Sequence, residues 1–315
     1  MLCAVQGAPP RKSRPGVDVV IPFAGSAAAL QALVERAATL ERAPDDSVVV
    51  VDNRASPSPL PALPEGILVL AASQRSGSYF ARNRGAAIGR APWLLFIDAD
   101  VEPPADLLDR YFATSPRSDS GVLAGEVRDE APAAGERGPA PLRYAWLKRS
   151  MSQETTLAHG RWSFAQTANA AVRREAFEAV GGFREGVRSG GDADLCYRLA
   201  DAGWAIERRR EAAVLHRNRV TVRAMLVQRA RHGAGAAWLN RVHPGSFPRR
   251  RWSGLAWWAT RRGAAGVAAL ARGDRDAAVL GLLDGPAVWA FELGRLLPNR
   301  PTPRLNARTL APSQR

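Results

Sequence analysis

Residues 92–103 read PWLLFIDADVEP. Trp93 through Ile97 is wholly apolar, which is how a short strand buried on both faces reads. The run stops at Asp98-Ala99-Asp100. A helix signal follows, with Pro103-Pro104 at its start and Leu107, Leu108, Tyr111 and Phe112 at helical spacing. A strand buried on both faces needs layers above and below it, so the chain is directed to an α/β fold. Two carboxylates then stand at the carboxyl end of a central strand, where open α/β sheets bind ligands. Neighbouring acids repel unless a positive charge lies between them. Such hard oxygen donors suit Mg²⁺ or Mn²⁺, which in turn hold a pyrophosphate. The same two acids would also serve as a turn and a helix cap, and Asp-x-Asp alone does not choose between these readings.

The preceding residues repeat the pattern. Strands are expected at 17–21, 48–51 and 67–70, each apolar apart from Asp18. Ser26 is placed to cap a helix with the stripe Leu30, Leu33, Val34, Ala37 and Leu40. A second helix is expected through 81–88. Strands alternating with helices argue for a mostly parallel sheet with helices on both faces. Every strand ends in a loop, Pro22-Phe23-Ala24 after the first, and after the others a polar cluster: Asp52-Asn53, Gln74 onward, and Asp98-Ala99-Asp100. In a parallel sheet these ends line one edge, and a binding crevice is expected there.

Beyond Ser115 the pattern weakens. Residues 122–125 fit a strand, 129–141 a mobile loop, and 142–151 a helix. Trp162, Phe164, Gln166, Thr167 and Asn169 fall close together, either as a small polar-ligand site or as ordinary packing. A short helix at 175–180 is stopped by Gly181-Gly182. The run Gly190-Gly191-Asp192-Ala193-Asp194 opens another helix. Acids in a first turn are favoured by the helix dipole in any case. Asp194 fits that structural role better, and Asp192, beside the glycines, is the candidate general base. Further strand residues lie at 204–206 and 213–215, and His216 follows them.

Of 44 basic residues only Lys12 and Lys148 are lysines, and the net charge is +14. That predicts attraction to phosphates, nucleic acid or an anionic surface. Nucleic acid is disfavoured, because no recognised module is present and acids gather at the expected ligand edge. Cys3 and Cys196 offer neither a disulfide framework nor zinc-ligand spacing, which fits a reducing compartment.

Six segments in order resemble a family 2 glycosyltransferase of the GT-A fold: VVIPFAGS (19–26), VVVVDN (48–53), ARNRGAAIG (81–89), LLFIDAD (94–100), NAAVRREAFEAVGGF (169–183) and GGDADLCYRLADAGW (190–204). The resemblance implies an enzyme of the hexosyltransferase type, taking a nucleotide-diphospho-sugar and inverting the anomeric carbon. It places Pro22, Phe23 and Asp52 at the base, Arg82 near the nucleotide, and Asp98 by the ribose and metal. It makes Asp100 the metal ligand, His216 a second contact to metal or pyrophosphate, and Asp192 the catalytic base. Trp162, Asn169 and Asp194 are candidates for the acceptor side. The sequence departs from the family twice: Gly191 stands where an acid is usual before Asp192, and Arg54-Ala55-Ser56-Pro57 replaces a Gly-Ser-x-Asp pattern. The first departure keeps a second function open, a catalytically silent GT-A domain that binds nucleotide-sugar or scaffolds a glycan pathway.

The expected organisation is a flexible lead-in (1–16), a GT-A catalytic domain (17–220), a helical appendage (221–297) and a disordered tail (298–315). Thr221 is placed to cap the first appendage helix. The segment 247–262, FPRRRWSGLAWWATRR, interleaves arginines with Trp252, Trp257 and Trp258, as suits a membrane interface. Residues 264–271 and 277–297 would form a helical hairpin on the bilayer, or a plain appendage packed on the catalytic domain. No transmembrane helix is expected, because Asp284-Gly285-Pro286 should break the best candidate. The acceptor implied is a lipid-linked glycan, envelope glycan or small molecule, met at the inner face of the cell membrane.

Overall fold

The computed structural model describes residues 14–57, 62–133 and 138–301. Its strands are β1 (Val17–Phe23), β2 (Ser47–Asp52), β3 (Ile67–Ala71), β4 (Trp93–Ile97), β5 (Val101–Glu102), β6 (Ser120–Asp129), β7 (Asn169–Arg173) and β8 (Ala205–His216). Its helices are α1 (Ala27–Ala38), α2 (Ser78–Ala86), α3 (Leu107–Tyr111), α4 (Ala140–Lys148), α5 (Gln153–Leu157), α6 (Arg174–Ala179), α7 (Gly191–Asp201), α8 (Val222–Val242), α9 (Trp252–Ala271) and α10 (Arg275–Gly294).

The strands form one sheet in the order β3-β2-β1-β4-β7-β6-β8-β5. β3, β2, β1 and β4 run parallel, as alternating strands and helices require. β7 then enters antiparallel between β4 and β6, so the sheet is mixed in its second half. Side chains of β1 alternate between the two faces. Val19 and Ile21 join the core under α1 and α3, while Val20 joins the core under α2, α6 and α7. Asp18, the polar residue in this strand, is buried but paired: its Oδ2 meets the Arg174 guanidinium at 2.5 Å and its Oδ1 accepts from Ser47. A buried carboxylate needs that pairing.

Ser26 caps α1 through the Ala29 amide, and Thr221 caps α8 through Ala224. Gly181 and Gly182, both at positive φ, stop α6. β8 is one continuous strand that parallels β6 and ends on β5, where His216 opposes Val101.

Three expectations need correction. Arg14 is not part of a loose lead-in: its side chain is buried and bridges Asp46 and Asp109, each at 2.6 Å. α10 runs unbroken through Pro286. Its packing against α8, α9 and α4 holds the helix despite the hydrogen bond that proline removes. By length and composition α10 is apolar enough to cross a membrane. Asn299, in the expected tail, is buried. The remainder of the lead-in (1–13), of the tail (302–315) and of the 129–141 loop (134–137) lies outside the described residues.

Candidate active site

At the carboxyl end of β4 the chain turns sharply, with the Val101 amide donating to the Asp98 carbonyl. That turn points Asp98 and Asp100 into a cavity of about 350 Å³. α2 supplies Tyr79 and Arg82 to its wall, the α7 start supplies Asp192, the β8 end supplies His216, and α8 covers it.

The Arg82 guanidinium is buried and donates a short hydrogen bond to Asp98 Oδ1. It lies 5.5 Å from the Tyr79 ring centre and 5.9 Å from that of Phe183. Burial raises the Asp98 pKa, and the Arg82 charge opposes that rise.

His216 Nε2 lies 3.7 Å from Asp100 Oδ1, while Arg219 reaches Oδ2 at 3.5 Å. The β5–β8 pairing brings this imidazole to the acid. His216 Nδ1 is buried without a hydrogen-bond partner among the described residues. Among the described residues no group of three or more His, Cys, Asp or Glu gathers as a metal cluster. The Asp100 carboxylate nonetheless fits Mg²⁺ or Mn²⁺ of the type that takes most of its ligands from substrate phosphates and water.

Asp192 lies in the first turn of α7, after Gly190 at φ 86°. Its Oδ1 accepts from the Tyr79 hydroxyl at 3.5 Å, the long end of the hydrogen-bond range. Burial raises its pKa, and Arg82 opposes the rise. Gly191 has a steric reason: a Cβ there would stand 2.7 Å from the Tyr79 ring. The acid usual at that position has no room.

Pro22, Phe23 and Asp52 sit at the same sheet edge, where Phe23 is the β-partner of Asp52, but they do not line the cavity. The Asp52 carboxylate is buried and held by Arg54, with Nη2–Oδ2 at 2.7 Å and Nε–Oδ1 at 2.9 Å. The arginine that departs from the family pattern therefore already occupies this acid.

The acceptor-side candidates fare differently. Asn169 is fully buried; its amide donates to the Glu126 and Ala212 carbonyls and accepts from the Tyr111 hydroxyl. It locks β7 to its neighbours and presents nothing to a ligand. Asp194 is equally buried, engaged by Arg198 and His243 at 2.9 Å and by Arg184 at 3.4 Å. Trp162 packs edge-on against Tyr197 with ring centres 5.0 Å apart, and Phe164 rather than Trp162 reaches the cavity.

Four arginines absent from the sequence expectations line the cavity: Arg188, Arg219, Arg229 and Arg231. Arg231 is half-buried, and its Nε has no hydrogen-bond partner among the described residues. Beside it, burial and then the charges of Arg231 and Arg229 push the His232 pKa down to about 3, so this imidazole is neutral near pH 7. Acids on the sheet edge thus face cations on α8 and the β8 loop. Such a cavity can take a metal-bridged polyphosphate, with the metal at the acids and phosphate oxygens at the arginines.

Residues 18–181 match the family model described as glycosyl transferase family 2. The pre-mycofactocin glycosyltransferase of Mycobacterium tuberculosis (strain ATCC 25618 / H37Rv) is 31% identical over 243 residues, 75% of this chain and 50% of that protein. Glycosyltransferase AglE of Haloferax volcanii is 28% identical over 200 residues, 61% of this chain and 64% of that protein. The chain thus spans about half the length of the first of these relatives and under two thirds of the second. A mannosyltransferase of Pyrobaculum calidifontis, solved in complex with GDP-Man and Mn²⁺, superposes with a TM-score of 0.59 at 18% identity, covering 92% of this chain and 89% of that one. This likeness bears out the GT-A-like α/β fold with a helical C-terminal extension. With the family model matching more than half of its length, the chain belongs to glycosyl transferase family 2.

Proposed function

We propose that this protein transfers a sugar from a nucleotide-diphospho-sugar to a hydroxyl acceptor, with inversion, at the inner face of the cell membrane. Residues 17–220 form the catalytic unit in this reading, and the acceptor is a lipid-linked or envelope glycan. The observation that carries it is the cavity in which Asp98, Asp100 and Asp192 face the arginines of α8 and the β8 loop.

The donor diphosphate lies between the acids and Arg219, Arg229 and Arg231. Asp98, fixed by Arg82, orients the ribose. Asp100 and His216 would hold Mg²⁺ or Mn²⁺, which would supply stabilisation of charge on the leaving phosphate. The arginines add to that stabilisation from the opposite wall. Asp192 Oδ accepts the proton of the acceptor hydroxyl as the oxygen bonds to the anomeric carbon. The carbon–phosphate-oxygen bond breaks on the other face, and its electron pair leaves with the nucleoside diphosphate. Tyr79 holds the Asp192 carboxylate in place, and burial keeps that carboxylate a stronger base than one in water.

A thermal-shift panel of nucleoside diphosphates and nucleotide-sugars, with and without Mn²⁺, tests the reading. A ligand at a hundred times its Kd stabilises by about 2.7 kcal/mol. A shift for one base that needs Mn²⁺ and vanishes in Asp100→Ala is expected. A folded sample that responds to no nucleotide overturns the donor site.

A further inference from the structure

α10 packs on α8 and α4 on one side and on α9 on the other, so α9 is the outermost layer of the C-terminal region. At its middle the α9–α10 contact is made by backbone and small residues. A Cβ at Gly281 would fall 2.5 Å from the Gly266 Cα, and one at Gly285 would meet the Ala259 Cβ at 3.3 Å. Around this close backbone approach, Trp252 against Trp289, with ring centres 6.1 Å apart, and Arg262 against Asp284 bring large side chains across the interface. Trp257, Val267 and Leu270 of α9 point outward and are 62%, 59% and 58% exposed. A surface helix in water normally shows the reverse, large apolar groups inward and polar groups outward. Small residues between helices with large apolar ones outside is the arrangement used against lipid.

Charge says what kind of surface covers this face. α9 contains no acid, and from 249 to 275 there are seven arginines against the single acid Asp274. Arg249, Arg251, Arg272 and Arg275 have no ion-pair partner among the described residues. They stand at the two ends of α9. Trp252 and Trp257 are exposed beside them, with Arg261 4.7 Å from the Trp257 ring centre. Arginines and indoles flanking an apolar helix face match an interface of anionic headgroups over acyl chains.

We propose that the outer face of α9 is a docking surface for an anionic lipid bilayer, on which this helix lies flat. The proposal rests on the membrane placement given above and names the surface and the lipid charge it takes. α10 does not span in this arrangement, because it packs on α4, α8 and α9 and two of its carboxylates are paired inside the protein. Asp284 is buried against Arg262 at 2.7 Å, and Glu292 faces Arg295 at 3.7 Å. A second copy of the chain is disfavoured as the occupant, since pairing two such faces would bring like-charged arginines together.

The full-length protein is floated with phosphatidylcholine vesicles and with vesicles containing ~30% phosphatidylglycerol, an anionic surface of the kind basic segments bind. Partition onto the anionic vesicles should be about tenfold or more stronger, and should weaken with salt. Trp257→Ser/Val267→Ser/Leu270→Ser should lose it, and Arg249→Gln/Arg251→Gln/Arg272→Gln/Arg275→Gln should fall to the neutral-vesicle level. No partition of folded wild type onto either vesicle overturns the proposal. So does partition unchanged in both variants, or a solution dimer that the triple variant abolishes. If a variant misfolds by circular dichroism, the wild-type comparison of the two vesicles decides. Mn²⁺-dependent nucleotide shifts on the same samples report the donor site separately, so docking and donor binding fail independently.

Discussion

The Tyr79 ring occupies the space above Gly191 while its hydroxyl reaches Asp192 Oδ1 at 3.5 Å. One residue of α2 thus excludes a side chain at 191 and holds the carboxylate at 192. This explains why a side chain at 191 is excluded while a carboxylate is held next to it.

Asp192→Asn should lower kcat by roughly 10²–10⁴-fold, the usual worth of general-base help, and leave nucleotide binding unchanged. Burial raises the Asp192 pKa, so the acid limb of kcat/KM should lie above the ordinary carboxylate range. The raised pKa also sets the sign for stability. The neutral acid suits its site at low pH, and that stability is lost as pH rises through the folded pKa. The Asp192→Asn variant should therefore be as stable as wild type or more so near pH 7, with the advantage vanishing below about pH 4. Paired pH–rate and thermal-unfolding curves check both.

Gly191→Glu should not raise activity, although it restores a common residue. Its side chain collides with Tyr79, and overpacking of this kind costs about 1–3 kcal/mol. Thermal unfolding and turnover, read together, test it; a faster and equally stable variant would refute the steric account.

Asn299 closes a reciprocal pair with Ser189, three residues before Asp192. Its Oδ1 accepts from the Ser189 amide at 3.0 Å, and its Nδ2 donates to the Ser189 carbonyl at 2.9 Å. Asn299→Ala should cost about 1–3 kcal/mol for two hydrogen bonds. It should also lower kcat more than it raises donor KM, because the segment leading into α7 and Asp192 loses its tether. Equal kcat in a folded variant would restrict Asn299 to stability.

Arg82→Ala leaves Asp98 without its cation. Asp98 is one-third exposed, so the loss should fall at or below the low end of the buried-pair range, about 2–3 kcal/mol. Adding Asp98→Ala should recover part of it. A double-mutant cycle by denaturant unfolding measures the coupling, and additive losses would contradict the pairing.

Asp100→Ala and His216→Ala should each weaken Mn²⁺-dependent nucleotide binding, with the larger effect at Asp100. Calorimetric titration with and without Mn²⁺ separates metal-linked binding from direct phosphate contact. Wild-type Mn²⁺ dependence in Asp100→Ala would remove this residue from the metal site.

Local pattern carried much of this protein. Apolar runs, most ending in polar clusters, marked β1 to β4 and the edge where Asp98, Asp100 and Asp192 converge, because burial on both faces leaves a continuous hydrophobic signal. Ser26 and Thr221 were legible as caps, since a side-chain oxygen three residues before an amide acts locally. β7 was missed as a strand because Asn-Ala-Ala-Val-Arg is short and has no clear alternation; its pairing with β4 and β6 defines it. Asn169 and Asp194 looked available because residue type does not tell a satisfied buried polar group from a ligand-facing one. The partners of Asn169 come from Tyr111, Glu126 and Ala212, and His243 joins the nearby Arg198 and Arg184 on Asp194; Tyr111, Glu126, Ala212 and His243 are distant in sequence. Arg229 and Arg231 carried no functional signal in the sequence, and only the folding of α8 back over the β4 end made them the cation wall of the cavity. The sequence by itself determined the elements and the acidic edge, which depend on neighbours along the chain. The tertiary structure decided which charges face one another, because that depends on contacts between segments the chain keeps far apart.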